Sequence, residues 1–195
     1  MIIGITGGFG CGKSTVLELF QKEGAEVFSA DRICHEIYAA KDEFFVSELK
    51  GYFGDGVIGC DGSIDRKFIA SRVFSSQKDM DFLNSIFKKP LHDRICDIIQ
   101  KGRDCQNVCA IEIPLLFEEH YEKMLDRVLT VFAPIEARKT FLGKRGFDFE
   151  EMQRRDARQM SLEEKVKLAD FVIVNGASQD FLYQQFKIIW NIIVR

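Results

Sequence analysis

Short apolar runs alternate with amphipathic stretches along this chain. Residues 2–6 form an apolar run that ends in a glycine-rich loop, and Lys13–Lys22 then carries apolar residues at positions 16, 17, 19 and 20. A buried run followed by this spacing predicts a strand, a loop and an amphipathic helix. Gly24 ends the helix, and residues 25–28 are a predicted second strand. The chain therefore begins with a β-α-β unit.

The middle of the chain has a helical pattern. From residue 44 to about residue 103 the apolar spacing is helical, and glycines between residues 51 and 62 interrupt it early. A stretch of this length exceeds the roughly 10–15 residues expected of a simple crossover between strands. It predicts a helical insertion over the sheet at about 41–104, which is a natural place to recognise a second substrate.

Three later runs are short, rich in β-branched residues and without polar alternation: 108–113, Arg127–Phe132 and Phe171–Val174. Such runs are typical of strands buried on both faces of a parallel sheet. Residues 179–194 predict a final helix. The predicted fold class is α/β, with a core at about 1–40 and 105–195.

Composition narrows the function classes. The chain has 195 residues, 46% of them apolar, which favours one domain with one sizeable core. With 27 Lys and Arg against 30 Asp and Glu, the formal net charge is −3. This balance argues against binding nucleic acid or an anionic membrane through bulk positive charge.

No apolar run approaches the roughly 20 residues that span a bilayer, and no signal peptide is recognisable, so we expect a cytoplasmic protein. A monomer or weak homo-oligomer is the expected assembly.

Cysteines and histidines predict no metal site. The six cysteines include no CxxC pair, and the three histidines have no ligand spacing among them. The cysteines are therefore interpreted as reduced thiols and small core residues.

A complete P-loop pattern carries the chemistry. Gly7-x-x-x-x-Gly12-Lys13-Ser14 stands between a predicted strand and a predicted helix. Glycines let successive backbone N–H groups turn inward around phosphates, and the helix N-terminus adds positive partial charge. Lys13 would reach the outer phosphates, as a catalytic as well as a binding residue, and the Ser14 hydroxyl would bind Mg²⁺. The predicted nucleotide-binding residues of the loop are Gly8, Gly10, Cys11, Gly12, Lys13, Ser14 and Thr15.

The plainer interpretation of this pattern is a glycine-rich turn that only starts a helix. Eight positions and two structural contexts agree, which disfavours it. A P-loop alone does not separate a kinase from a GTPase switch or a motor. The chain contains neither DxxG nor NKxD, the strings expected of a GTPase, so the switch and motor interpretations are weakened.

Asp31 is a candidate catalytic residue. It follows the second predicted strand, at the carboxyl edge of the sheet where open α/β folds bind ligands. A carboxylate there could accept the proton of an attacking hydroxyl. The alternative is that Asp31 or Ser29 caps the helix that begins near Arg32. Position alone does not decide between these roles.

Residues 138–158 contain seven Lys and Arg side chains. One interpretation is a solvated, salt-bridged pair of helices, supported by interspersed acids. The other is a mobile lid at about 138–160 whose cations close over a triphosphate. Residues 138–145 hold four cations and no acid, which favours the lid.

The chain resembles the dephospho-CoA kinase family over nearly its whole length. The matching segments are Gly4 to Thr15, Ala30-Asp31, Phe53-Gly54, Asp61 to Arg66, Val73-Phe74, Leu83-Asn84, Ile113 to Glu118, Gln159, Lys165, Ala169-Asp170 and Val174 to Gly176. The resemblance implies a three-layer P-loop fold with a five-stranded parallel sheet of the nucleoside-monophosphate-kinase type, a helical insertion for the coenzyme A moiety, and a lid.

The implied reaction transfers the ATP γ-phosphoryl group to the 3′-hydroxyl of dephospho-CoA, giving CoA and ADP in the final step of coenzyme A synthesis. Mg²⁺ is the implied cofactor, and ATP and dephospho-CoA are the implied partners. By resemblance, Asp31 is the acid proposed to accept the hydroxyl proton, and Asn175 and Gly176 lie near the adenine. The charge neutralisation that phosphoryl transfer needs gives Lys13, Mg²⁺ and lid cations at least equal weight.

The chain departs from the family pattern at several positions. Ser29 and Lys89 replace an acid and a histidine, and Glu112 stands where the family often has an aspartate. The two lid arginines of the family fall on Thr140 and Lys144, or on Phe141 and Arg145 with a shift of one residue. Lys144 and Arg145 are therefore the candidate lid cations.

Two other functions compete with this one. The first is a kinase of the same fold that acts on a nucleoside monophosphate or a shikimate-like alcohol. The second is a P-loop regulatory protein that binds nucleotide without transferring phosphate.

Overall fold

The computed structural model describes residues 1–40, 42–59, 62–104 and 107–194, without the side chain of Phe74. Its strands are β1 (Ile2–Gly7), β2 (Glu26–Ser29), β3 (Cys109–Glu112), β4 (Arg127–Phe132) and β5 (Phe171–Val174). They form one parallel sheet in the order β2-β3-β1-β4-β5. The predicted five-stranded parallel sheet is confirmed.

In that part of the chain, nine α-helices accompany the sheet. They are α1 (Lys13–Lys22), α2 (Ala30–Ala40), α3 (Glu43–Phe53), α4 (Arg66–Ser75), α5 (Gln77–Asp104), α6 (Ile135–Gly143), α7 (Phe149–Asp156), α8 (Leu162–Leu168) and α9 (Gln179–Ile193). The bounds of α1 are those that the apolar spacing predicts. Within the described residues, no helix combines the length and the apolar character needed to cross a membrane.

One face of the sheet packs on α1 and α9. Ile3 and Ile5 of β1 lie in a single buried cluster with residues of β4, α1 and α9. At its centre, the rings of Phe20 and Phe186 meet edge to face with their centroids 5.1 Å apart. Neighbouring strand residues point to opposite faces, so this cluster uses alternate positions of β1 and β4.

The intervening positions face α8 and the segment after β3. Thr130 of β4 donates a hydrogen bond to the carbonyl oxygen of Lys165 in α8. A Cβ atom at Gly4 of β1 would lie 2.4 Å from the side chain of Leu125 and 2.5 Å from that of Leu116. Helices therefore cover both faces of the sheet, as the three-layer fold requires.

The chain divides into two compact units, which we call the sheet unit (Met1–Ser29 with Ile99–Arg195) and the helical unit (Ala30–Ile98). The helical unit has its own core, in which Phe45, Leu49 and Ile69 are buried. The sequence pattern predicts boundaries near residues 41 and 104. Lys41 lies outside the described residues, as do Cys60, Asp61 and Cys105.

Candidate functional site

Residues 8–12 connect β1 to α1, and three glycines in or next to this loop have backbone angles that other residues rarely adopt. The φ angles are 144° at Gly7, 79° at Gly10 and 89° at Gly12. At Gly7 there is also no room for a side chain, because a Cβ atom would lie 2.3 Å from the carbonyl oxygen of Val131 in β4. The close approach of parallel strands and the turn geometry therefore both require glycine here.

The loop ends at the N-terminus of α1. Gly12 is the N-cap residue and supplies no side-chain acceptor to the first turn. The N–H groups of a helical first turn and the positive end of the helix dipole attract anions. The loop and the helix start therefore have the geometry of a phosphate-binding site.

The Lys13 side chain lies along this loop. It is 9% exposed, and its Nζ donates hydrogen bonds to the carbonyl oxygens of Gly7 at 3.1 Å and Gly8 at 3.0 Å. A buried ammonium needs such acceptors to offset its desolvation. The loop thus holds one positive charge within its own turn, next to the backbone groups that would receive phosphate.

Ser14 lies beside Glu112, one of the positions at which the chain departs from the family pattern. Its Oγ donates to Oε2 of Glu112 at 3.4 Å, and Glu112 is 6% exposed at the end of β3. β3 is the neighbour of β1 in the sheet, which places its carboxyl end beside the loop. An acid at the end of a buried strand was the signal in the sequence that could have identified this residue.

Asn175 lies against the same loop. Its Nδ2 donates to the carbonyl oxygen of Cys11 at 2.9 Å, and a Cβ atom at Gly12 would lie 2.2 Å from that nitrogen. Its backbone N–H donates to the carbonyl oxygen of Phe132 at the end of β4. The structure thus brings Asn175 together with the predicted loop residues Gly8, Gly10, Cys11, Gly12, Lys13, Ser14 and Thr15.

Residues 138–158 contact the loop through Arg138, which is not among the site residues predicted from the sequence. Arg138 of α6 donates from Nε to the carbonyl oxygen of Phe9 at 2.9 Å. Lys144 and Arg145 are exposed just after α6, and the Arg145 guanidinium lies 5.5 Å from the ring centroid of Phe147. Because seven cations share this segment, nothing in the sequence distinguished Arg138 from the others.

A buried lysine ties the segment after β3 to α8. Lys165 is 0% exposed, and its Nζ donates to the carbonyl oxygen of Pro114 at 2.7 Å and to the Gln159 side chain at 3.2 Å. The same Nζ forms a salt bridge of 3.0 Å with Glu118. All four residues belong to the segments that carry the family resemblance. These contacts link the segment after β3 to α8 and to the chain just before α8.

Cys11 is a structural thiol. It is fully buried in the core cluster, and burial raises the pKa of its thiol, an effect that the positive charges of Arg138 and Lys13 partly offset. A thiol with a raised pKa is a poor nucleophile at neutral pH. Cys11 is thus a reduced thiol and a small core residue, as the sequence predicts.

Asp31 is exposed in the first turn of α2 and belongs to the helical unit. The helix begins one residue before it, at Ala30, so Asp31 lies inside the first turn. A carboxylate there interacts favourably with the helix dipole. Asp31 therefore lies within the helix and is not its N-cap residue, so the predicted capping role of Asp31 is wrong and its catalytic role stays a prediction.

Comparison with known proteins gives a consistent family. A family model described as dephospho-CoA kinase matches residues 1–180. The dephospho-CoA kinase of Aquifex aeolicus is 37% identical over 193 residues, covering 99% of this chain and 97% of that protein. Two solved structures are similar over nearly their full length. TT1252 from Thermus thermophilus has a TM-score of 0.76 and 33% identity, covering 99% of this chain and 97% of that one. The dephospho-CoA kinase from Campylobacter jejuni has a TM-score of 0.74 and 27% identity, covering 98% of this chain and 96% of that one. The chain belongs to the dephospho-CoA kinase family.

Proposed function

We propose that this protein is an ATP-dependent kinase that phosphorylates the 3′-hydroxyl of dephospho-CoA. The 3′-oxygen forms a bond to the γ-phosphorus of ATP, and the bond between that phosphorus and the β–γ bridging oxygen breaks. The proton of the hydroxyl passes to a carboxylate, and the products are CoA and ADP. Family membership supports the choice of acceptor.

The loop with its lysine is the observation that carries the phosphoryl-transfer function. Phosphoryl transfer needs positioning and charge stabilisation more than covalent chemistry from the protein. The glycine loop, the start of α1 and the Lys13 ammonium supply both at the carboxyl edge of the sheet. In this proposal, Lys13 leaves the carbonyl oxygens of Gly7 and Gly8 to contact the outer phosphates.

Ser14 and Glu112 fit a magnesium site. Mg²⁺ prefers oxygen donors and is held in kinases by one or two protein groups together with substrate phosphates. The Ser14 hydroxyl and the Glu112 carboxylate already meet, with their oxygens 3.4 Å apart. Bound Mg²⁺ would neutralise charge on the β- and γ-phosphates. We propose that Ser14 contacts the ion and that Glu112 orients Ser14 or a water on it.

We propose Asp31 as the residue that accepts the hydroxyl proton. Its support is its position two residues after the last residue of β2, together with the family resemblance. Lys144 and Arg145 are proposed as lid cations, and Asn175 as the residue near the adenine. The exposure of Lys144 and Arg145 leaves their side chains accessible to a nucleotide.

The helical unit is the proposed binding region for the acceptor. It contains an open cavity of about 620 Å³ whose lining includes Tyr38, Ile64, Arg66 and Lys67. The Arg66 guanidinium lies 5.1 Å from the ring centroid of Tyr38. The lining also includes Asp65, whose carboxylate accepts hydrogen bonds from the backbone N–H groups at the start of α4. The apolar side chains and the two cations would suit an acceptor that combines a diphosphate with a long, mostly uncharged arm.

The test is ADP release by the purified protein with ATP and Mg²⁺, measured with dephospho-CoA, AMP or shikimate as acceptor. We expect dephospho-CoA alone to stimulate release, and a 3′-nucleotidase to convert the product back to dephospho-CoA. The Lys13→Ala protein, purified in parallel, controls for contaminating kinases. Stimulation by AMP or shikimate instead would identify a different small-molecule kinase, and no stimulation by any acceptor would favour a nucleotide-binding regulator.

A further inference from the structure

Arg138 joins three parts of the sheet unit through one guanidinium group. Its side chain, on α6, is only 8% exposed. Nε donates to the carbonyl oxygen of Phe9 at the tip of the phosphate loop, at 2.9 Å. Nη2 donates to both carboxylate oxygens of Asp156, the last residue of α7, at 2.6 Å each. The loop, α6 and α7 are therefore linked by charge-assisted hydrogen bonds.

The bond to Phe9 controls the orientation of a peptide group in the loop. A peptide is planar and trans, so the carbonyl oxygen of Phe9 and the N–H of Gly10 point in opposite directions. Gly10 has a φ of 79°, and glycine also tolerates negative values, so this peptide could rotate at little cost. Because Arg138 fixes the carbonyl, the Gly10 N–H is directed away from the guanidinium.

Other contacts hold the same loop residue in place. The Phe9 ring packs edge to face on Phe147, with centroids 5.2 Å apart, and the Arg155 guanidinium lies 4.3 Å from the Phe9 ring centroid. A Cβ atom at Gly8 would lie 3.3 Å from Cζ of Arg138, so the loop also packs closely on the guanidinium. The tip is held at its carbonyl by Arg138 and at its ring by the segment that contains α7.

We infer that Arg138 is a positioning residue for ATP, which acts by orienting the Phe9–Gly10 peptide so that the Gly10 N–H donates to a phosphate oxygen. Asp156 supports it by compensating its buried charge. This inference rests on the proposed function for its kinetic consequences, but ATP binding tests it independently. Arg138 acts through the loop and contacts no reacting atom.

Two substitutions of Arg138 and one of Asp156 separate this role from a structural one. Arg138→Gln removes the charge, and Arg138→Lys keeps the charge but lacks the planar fork that serves two acceptors at once. Because the Phe9–Gly10 peptide is then no longer held in one orientation, we expect both variants to weaken ATP binding by about three- to ten-fold, which is within what one charge-assisted hydrogen bond can contribute. The KM for dephospho-CoA should stay within about two-fold of the wild-type value.

Asp156→Asn should weaken ATP binding in the same direction and by less, since the amide retains one acceptor oxygen. This residue is partly exposed, so the variant tests the inference even if Arg138→Gln does not fold. The double variant Arg138→Gln/Asp156→Asn should bind ATP no more weakly than Arg138→Gln alone, because Asp156 acts through Arg138.

The amide of Gly10 gives a direct readout. In ¹H–¹⁵N spectra we expect the Gly10 amide signal of the wild-type protein to shift on addition of Mg²⁺–ATP, and the shift to be largely lost in Arg138→Gln. Glu23→Gln is the matched control, because it breaks the half-buried ion pair of 2.9 Å with Lys187 in the same unit. Glu23 lies at the far end of α1 from the loop.

The inference is wrong if Arg138→Gln and Arg138→Lys lower the melting temperature but keep the ATP dissociation constant and the Gly10 shift of the wild-type protein. Equal losses for ATP and dephospho-CoA would also overturn it, since they indicate a general disturbance. If the wild-type protein does not phosphorylate dephospho-CoA, the proposed function fails, whereas ATP binding and the Gly10 signal still decide the role of Arg138.

Discussion

At the scale of single residues, the position of Lys13 suits the two roles proposed for it, in phosphate binding and in catalysis. Its ammonium hydrogen-bonds to two loop carbonyl oxygens, at 3.1 and 3.0 Å, and is therefore held beside the phosphate-binding turn. Once the ammonium contacts the outer phosphates, charge stabilisation by one such donor is typically worth a factor of about 10²–10³ in rate. A contact between the Lys13 ammonium and the outer phosphates should also contribute to triphosphate affinity, because these phosphates carry charge before the reaction as well as during it.

We therefore expect Lys13→Ala to lower kcat/KM for ATP by about a hundred-fold or more and to weaken ATP binding. Calorimetric titration with ATP and steady-state kinetics measure the two effects. Lys22→Ala, which removes an exposed lysine from the last turn of the same helix, is the control and should behave as wild type. Normal kinetics in Lys13→Ala would remove the loop from the mechanism.

Asp31 gives the second prediction at this scale. If its carboxylate accepts the proton of the acceptor hydroxyl, Asp31→Asn should lower kcat by about a hundred-fold and leave ATP affinity nearly unchanged. Glu36→Gln, an exposed acid of the same helix, controls for the loss of a negative charge on α2. An unchanged kcat in Asp31→Asn would leave the residue with only a stabilising role at the helix start.

The ion pair between Lys165 and Glu118 predicts a loss of stability instead. Lys165→Met leaves Glu118, whose side chain is 20% exposed, without its cation. Removal of one partner from a buried pair costs about 3–5 kcal/mol, and urea unfolding would measure this loss. Lys187→Met, which breaks a more exposed pair with Glu23, should cost much less. Similar losses of unfolding free energy in both variants would mean that burial does not determine how much the Lys165–Glu118 pair contributes to stability.

At the scale of elements, the loop between β1 and α1 depends on glycine for two independent reasons. Gly7 combines a φ of 144° with a backbone oxygen 2.3 Å from where a Cβ atom would lie. The clash involves Val131 of the neighbouring strand, so relief requires β1 and β4 to move apart. Strain of this kind cannot relax by rotation of a side chain.

We expect Gly7→Ala to destabilise the fold by at least about 1–3 kcal/mol and to abolish measurable ATP binding, as judged by urea unfolding and calorimetry. Gly143→Ala is the control, because Gly143 lies at the end of α6 and, among the described residues, a Cβ atom there would meet nothing within 4 Å beyond its own stretch of chain. That substitution should change stability by no more than about 1 kcal/mol. A Gly7→Ala protein with wild-type stability would contradict the steric argument.

Much of the fold could be predicted at this scale, because local patterns determine where elements begin and end. The apolar runs of β4 and β5 and the spacing of α1 agree with the structure to the residue. Contacts between distant residues could not be predicted. Ser14 and Glu112 are 98 positions apart, and Arg138 and Phe9 are 129 apart. Whether such residues meet depends on the strand order and on the path of the chain over the sheet. The spacing of apolar residues carries no information about either.

At the scale of the whole molecule, we propose that the two units, each with its own core, bind one substrate each. The phosphate loop, Lys13 and Asn175 belong to the sheet unit, and the cavity beside Tyr38 and Arg66 belongs to the helical unit. The near balance of 27 basic and 30 acidic residues gives no sign of such binding sites. An anionic substrate responds to the cations near its binding site and much less to the net charge of the chain. Substitutions in one unit should therefore affect one substrate.

Arg66→Gln tests this division. If the cavity of the helical unit holds the diphosphate of dephospho-CoA, loss of a charged donor worth about 1.5–3 kcal/mol should raise the KM for dephospho-CoA by about ten-fold or more. The dissociation constant of ATP, measured without acceptor, should not change. Lys50→Gln removes an exposed cation of the same unit, 3.9 Å from Asp55, and should alter neither value. A rise in the ATP dissociation constant in Arg66→Gln, or an unchanged KM for dephospho-CoA, would place the acceptor's diphosphate outside this cavity.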